Sequence, residues 1–152
     1  MIIVVAAVIE RSDRRLLIGQ RRQSDTSPLK WEFPGGKVRE GETPEAALAR
    51  ELQEELGVTL VKSVELGRVR YHYAGTSDEL EIRFFAAAIA ESDLVPRTFE
   101  KIAWALPKEL GEYDFLAANS GLIAQLATGR IKPADILDSA EETGASHGPA
   151  AD

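Results

Sequence analysis

The stretch "GGKVREGETPEAALARELQEELGV", Gly35 to Val58, constrains the fold of this chain more than any other. Thr43 offers an N-cap hydroxyl, Pro44 suits the first helical position, and Glu45 places an acid in the first turn. Leu48, Leu52 and Leu56 recur four apart, which aligns them on one face of a helix, and Gly57 is a natural stop. The same helix carries Glu51, Glu54 and Glu55 at i, i+3 and i+4, so their carboxylates crowd one side. Like charges that close repel, and Arg50, which can pair with Glu54, does not compensate the whole cluster. Two readings follow. The glutamates form a solvated outer face, or they hold a cation. An oxygen-rich set without histidine suits Mg²⁺ or Mn²⁺ rather than zinc.

Around this helix the pattern alternates between strands and helices. Residues 2–9 are apolar and β-branched, which predicts a strand buried on both faces; "SDRR" predicts a turn, and Leu16–Arg22 a second strand paired to the first as a hairpin. "MIIVVAAVIE" has no basic n-region, and Glu10 closes it where a signal peptide would need a cleavage site. "KWEFPGGKV" is extended or looped, because Pro34 disfavours helix at Phe33. Further strands are expected at Val61–Tyr73, Glu79–Ala90 and "KIAWALP", with a helical turn at "KEL". A second long helix is expected over Asp114–Gly129, with Leu116, Ile123 and Leu126 facing the core. The order implies an α/β (α+β layered) domain, a mixed β-sheet packed between helices, over residues 1–132. From Pro133 to Asp152 little remains to bury after Leu137, which predicts a flexible C-terminal tail.

Composition narrows the partners. The net charge of −7 argues against binding nucleic-acid polymers, yet a few arginines or a metal ion can reverse the local sign inside one cleft. No apolar run reaches the length of a membrane span, so no membrane partner is expected. The absence of cysteine removes disulfides and thiolate metal sites, and fits a cytoplasmic protein.

Gly36, Glu42, Arg50, Glu51, Leu52, Glu54, Glu55, Gly57 and Val58 together match G-x5-E-x7-R-E-U-x-E-E-x-G-U, where U is aliphatic. That pattern resembles the Nudix hydrolases at every constrained position. The resemblance implies an enzyme that hydrolyses a nucleoside diphosphate linked to another moiety, with divalent metal as cofactor. Carried over by position, Glu51, Glu54 and Glu55 would be metal ligands, joined by the Gly35 carbonyl. Glu54 would also accept a proton from the attacking water, and Arg50 with Glu42 would orient the loop that contains Gly36.

The longer run "WEFPGGKVREGETPEAALARELQEELG" resembles the MutT-type branch, which removes pyrophosphate from oxidised purine nucleotides such as 8-oxo-dGTP. In that branch an arginine at the position of Arg21 or Arg22 contacts the nucleotide. Neighbouring strand residues face opposite ways, so only one of the pair need enter a cleft. Phe33 would line the base pocket or serve as core. Asn119, in "FLAANSGL", would read the base edge, since an amide offers a donor and an acceptor together; its alternative is a helix cap or an early-helix polar residue. Relatives selective for cytosine nucleotides are expected to carry an acid there. Glu100 would be a further acid near the metals, although "EK" departs from the branch's commoner "EH". His72, between Tyr71 and Tyr73, reads as a packed or surface histidine.

The resemblance therefore implies a cytoplasmic monomer or homodimer that releases a nucleoside monophosphate and pyrophosphate from a small nucleotide. Its rivals are another Nudix substrate (CTP, methylated cytosine nucleotides, dinucleoside polyphosphate or ADP-ribose) and, in a different class, a non-catalytic nucleotide-sensing or interaction module.

Overall fold

A computed structural model describes residues 1–72, 75 and 77–147, with 141–147 described by backbone alone. Tyr73, the expected end of one strand, and residues 148–152 of the expected tail lie outside the described residues. The strands are β1 (Ile2–Ile9), β2 (Leu16–Gln20), β3 (Trp31–Glu32), β4 (Gly35–Lys37), β5 (Leu60–Tyr71), β6 (Leu80–Ile89) and β7 (Lys101–Ala105). The helices are α1 (Pro44–Leu56), α2 (Ser120–Ala127) and α3 (Pro133–His147).

Four strands form a mixed sheet in the order β4-β1-β6-β5, and three form a small antiparallel sheet, β3-β2-β7. β1 runs parallel to β6 and antiparallel to β4. Its alternation divides the core. Val5, Ala7 and Ile9 pack with Leu48, Leu52 and Leu56 of α1, while Ala6 and Val8 pack with Phe33, Phe84 and Leu126 on the other face. That two-sided burial explains the continuous apolar run.

The expected hairpin between the first two strands is not formed. The turn is made, with Arg11 N–H donating to the Arg15 carbonyl and Arg14 at φ 72°, but only one bridge joins Glu10 to Leu16. β1 already has a partner on each edge, so β2 has nowhere to pair there and joins β3 and β7 instead.

The second long helix also starts later than its pattern suggests. Trp31 N–H donates to the Asp114 carbonyl and Leu116 N–H to the Trp31 carbonyl, which keeps Asp114–Leu116 extended beside β3. A 3₁₀ turn, Ala117–Asn119, then leads into α2, where Leu126 is buried and Ile123 half-buried against the core as expected, Leu122 joins them, and Leu116 precedes the helix. Gly129 (φ 76°) follows its end.

The stretch expected as a tail contains α3. Its first turns dock on the sheet: Ala134 N–H donates to Glu10 Oε1 at 3.0 Å, the Lys62 ammonium donates to the Leu137 carbonyl, and Leu137 is buried. Among the described residues no helix is long and apolar enough to cross a membrane.

Candidate active site

The site is built where β4 hands over to α1. β4 lies so close to β1 that a Cβ on Gly35 would collide with the Val5 carbonyl, and a Cβ on Gly36 would fall on the Glu51 carboxylate. These two positions need glycine because the Val5 backbone and the Glu51 side chain occupy the space. The Thr43 hydroxyl accepts from Ala46 N–H at 3.1 Å, and Gly57 closes α1 at φ 67° by donating to the Gln53 carbonyl. Leu48, Leu52 and Leu56 are fully buried, which turns the glutamates of α1 outward toward the β4 loop.

Arg50 organises these acids. Its Nε and Nη2 donate to the two Glu42 oxygens at 2.7 and 2.9 Å, and Nη2 also reaches the Lys37 carbonyl at 3.0 Å. Nη1 donates to Glu51 Oε2 and Glu54 Oε1, both at 3.0 Å. The Arg50 side-chain bonds, helped by Arg39 N–H, hold the Glu42 carboxyl at about 2. The expected Arg50–Glu42 orienting pair is present, and the same guanidinium bridges two further glutamates.

Glu55 stands apart. It accepts from Gly35 N–H at 2.9 Å, and the Thr98 side chain also favours its charged form. Burial first, then the charges of Glu32 and Glu51, push its carboxyl up to about 8. Among the described residues no three His, Cys, Asp or Glu side chains converge closely enough to hold an ion. The reason is visible: Glu51 and Glu54 turn to Arg50, and Glu55 turns to the Gly35 amide. The donor set nonetheless fits a hard cation, because it is all oxygen and a cation would offset the burial that disfavours the charged form of Glu55.

This has a measurable consequence for the metal-free protein. The folded pKa of Glu55 lies above its ordinary value of 4.5, so its contribution to stability is complete below about pH 4.5 and is lost as pH rises through 8. Melting temperature in EDTA is expected to fall by roughly 5 °C between about pH 6 and pH 9. A Glu55→Gln variant should flatten that part of the profile; an unchanged profile would show that the carboxyl does not titrate there.

A cleft of about 750 Å³ opens beside this site. Val4, Ala6, Leu80, Ile82 and Leu116 give it apolar walls, and Gly35 and Gly36 line it on the β4 side. Phe33 is 3% exposed within the core, 5.5 Å from the Phe115 ring, and also lines the cleft. Asn119 is 5% exposed and lines the cleft too. It sits immediately before α2 without a side-chain cap bond, and among the described residues its amide has no hydrogen-bond partner. Its side chain therefore does not cap α2, and the residue sits in the 3₁₀ turn that opens the helix.

The two arginines separate, although both lie beyond the end of β2 at Gln20 and not within the expected strand. Arg21 lines the cleft and is held by Thr26 O at 2.7 Å, Thr26 Oγ1 at 3.0 Å and Glu32 Oε1 at 3.1 Å. Arg22 leaves it and donates to the Arg97 carbonyl at 2.7 Å. Glu100 is exposed, and its N–H donates to the Gln20 carbonyl beside Arg21. Among the described residues no hydrogen bond or ion pair engages its carboxylate, so it does not join the box glutamates here.

Sequence reasoning passed over two residues. Glu32 links Arg21 to the Glu55 environment, and burial raises its own carboxyl despite Arg21. A lone acid between Trp31 and Phe33 was the available signal. Lys37 lines the cleft next to the glycine pair and, among the described residues, its ammonium is unpaired. Nothing in its spacing distinguished it from a surface lysine.

A loop–helix acid cluster tied by one arginine, beside a nucleotide-sized cleft, defines a class. The NUDIX domain family matches residues 2–126, and the chain belongs to that family as a Nudix hydrolase. Among its relatives, a putative 8-oxo-dGTP diphosphatase 2 of Mycobacterium tuberculosis is 37% identical over 82% of this chain and 87% of the relative. A CTP pyrophosphohydrolase of Escherichia coli is 33% identical over 89% of this chain and 98% of its own length. A solved MutT structure, from work on Aliivibrio salmonicida and Vibrio cholerae, superposes with a TM-score of 0.71 at 29% identity, covering 84% of this chain and 98% of that one.

Proposed function

We propose that this protein is a Mg²⁺- or Mn²⁺-dependent nucleoside triphosphate pyrophosphohydrolase that acts on oxidised purine nucleotides such as 8-oxo-dGTP. The observation that carries the reading is Asn119, a residue 5% exposed on the wall of an apolar cleft, whose side chain makes no hydrogen bond among the described residues and whose amide atoms are not sealed from the cleft. An amide left open in this way can meet a base edge that offers one donor and one acceptor. The 6-oxo and N1–H edge of a guanine-type base has that pattern.

The residues divide the work along the cleft. Phe33 and the β1 and β6 side chains take the base, and Asn119 reads its edge. Lys37 and Arg21 supply positive charge near the glycine pair for the phosphates. Glu51, Glu54 and Glu55 are the carboxylates that would hold the cation, with the Gly35 carbonyl as a further oxygen donor. When bound, that cation neutralises the polyphosphate and makes a bound water more acidic. Glu54, the most exposed of the acids bonded to Arg50, accepts the proton of the attacking water. The water oxygen bonds to phosphorus as the anhydride P–O bond between the α- and β-phosphates breaks, which separates a nucleoside monophosphate from pyrophosphate. Glu100 is a further acid, in the loop whose backbone bonds the Gln20 carbonyl next to Arg21.

Steady-state rates on 8-oxo-dGTP, dGTP, CTP, 5-methyl-dCTP and ADP-ribose test the reading. The largest kcat/KM should belong to 8-oxo-dGTP, and Asn119→Ala should shrink its margin over dGTP by roughly 10- to 100-fold. A variant that kept the whole margin would remove Asn119 from base recognition. The second reading, CTP, is favoured by the relative of that name in E. coli. It is opposed by the amide at 119, where an acid would better meet the cytosine amino group, and it wins if CTP leads the panel.

A further inference from the structure

Between β6 and β7 the chain runs "LVPRTFE", Leu94 to Glu100, across the C-terminal turn of α1. That turn has a problem of charge. A helix C-terminus favours cations, yet α1 places Glu54 and Glu55 there and has no basic residue of its own in the last turn. Its last carbonyls also need donors from outside the helix. The strap supplies both. Val95 N–H donates to the Leu56 carbonyl at 2.9 Å, Arg97 N–H to the Glu55 carbonyl at 2.9 Å, and Arg97 Nη1 to the Gln53 carbonyl at 3.1 Å. The guanidinium lies over Gly57, where an added Cβ would come within 3.0 Å of Nη2.

The strap is fastened on its other side as well. Arg22 Nη2 donates to the Arg97 carbonyl at 2.7 Å. Phe99 is 4% exposed and packs on the bare Cα of Gly19, where a Cβ would meet the ring at 2.5 Å. Glu100 N–H donates to the Gln20 carbonyl at 2.8 Å. Between these two anchorages lies Thr98, whose side chain favours the charged form of Glu55.

We propose that Arg97 is a positioning residue, which with Arg22 clamps the strap between β2 and the end of α1 and thereby sets the Glu55 carboxylate and the placement of Glu100. This rests on the reading of Glu55 as part of the working site. Arg97 touches no reacting atom. It acts through Gln53, Glu55 and Thr98, and the ordinary appearance of an arginine in a polar loop conceals the role.

The test compares wild type with Arg97→Gln, Arg97→Lys and Thr98→Val on the full chain. Three readouts are needed: amide hydrogen exchange, Mn²⁺ affinity without nucleotide by electron paramagnetic resonance, and kcat against KM on the best nucleotide of the panel. Arg97→Gln should speed exchange of the Arg97 and Glu100 amides about 10-fold or more, and weaken Mn²⁺ binding and kcat about 10-fold each, with KM within about twofold. Arg97→Lys, which keeps the cation but not the fork, should recover part of each loss. Thr98→Val leaves the clamp intact and should reproduce the Mn²⁺ effect without the exchange effect. Faster exchange with wild-type Mn²⁺ affinity and kcat in both Arg97→Gln and Thr98→Val would overturn the proposal, as would unchanged exchange in Arg97→Gln. Should wild type neither bind Mn²⁺ nor hydrolyse nucleotides, the functional reading falls, and the exchange data still decide whether Arg97 holds the strap.

Discussion

Replacing Glu54 with Gln is expected to lower kcat by about 100- to 10,000-fold, the range for removing a positioned proton acceptor. The amide keeps the shape of the side chain and can still meet Arg50, but it cannot take a proton from water. Glu54 suits the role by exposure: its side chain is 46% accessible, against 18% for Glu51 and 16% for Glu42. The fold should not suffer. One negative charge leaves a crowded cluster, so the melting temperature should hold or rise. The measurement is steady-state turnover of 8-oxo-dGTP with Mg²⁺, beside melting curves of both proteins. Equal rates would dispose of the assignment, and a larger loss in Glu100→Gln than in Glu54→Gln would move the base to the strap.

The second large effect belongs to Arg50→Lys. A lysine keeps the charge but cannot make the planar fork that serves Glu42, the Lys37 carbonyl, Glu51 and Glu54 together. Two losses should appear at once. Turnover should drop about 100-fold, because the loop holding Gly36 and the two glutamates lose their common anchor. Melting temperature should fall by roughly 5 °C near neutral pH. The pH dependence identifies the cause. The Glu42 carboxyl is held at about 2 by Arg50, so its contribution is present above about pH 4.5 and disappears as pH falls toward 2. The gap between wild type and Arg50→Lys should therefore close in acid. A gap that stayed constant down to pH 2 would place the damage elsewhere.

Local rules were enough for α1. Its cap, first-turn proline, leucine face and terminal glycine are all short-range signals, and the helix runs over Pro44–Leu56 as they predict. They failed where another part of the chain competed. Leu16–Arg22 looked like the partner of the first strand because nothing local reveals that β4 and β6 take both edges of β1. Asp114–Leu116 fits a helical pattern and is drawn out by backbone bonds to Trp31, a residue far away in sequence.

The same division runs through the site. Spacing along one helix gathered Glu51, Glu54 and Glu55, and the glycine pair with Glu42 marked the loop beside them. Alternation could say that Arg21 and Arg22 part company, but only the packed structure says that Arg21 goes to the cleft and Arg22 to the strap. For Asn119, only the structure shows that its side chain makes no cap bond and that it stands on the cleft wall. Glu32, Lys37 and Arg97 carry no periodic signal at all. The sequence alone determined the family, the acidic helix and the loop that feeds it, because those depend on residues within a few turns of one another. The tertiary structure decided which side chains share the cleft, how far burial raises Glu55, and what holds the strap. Those depend on distances and desolvation between segments that meet only when the chain is folded.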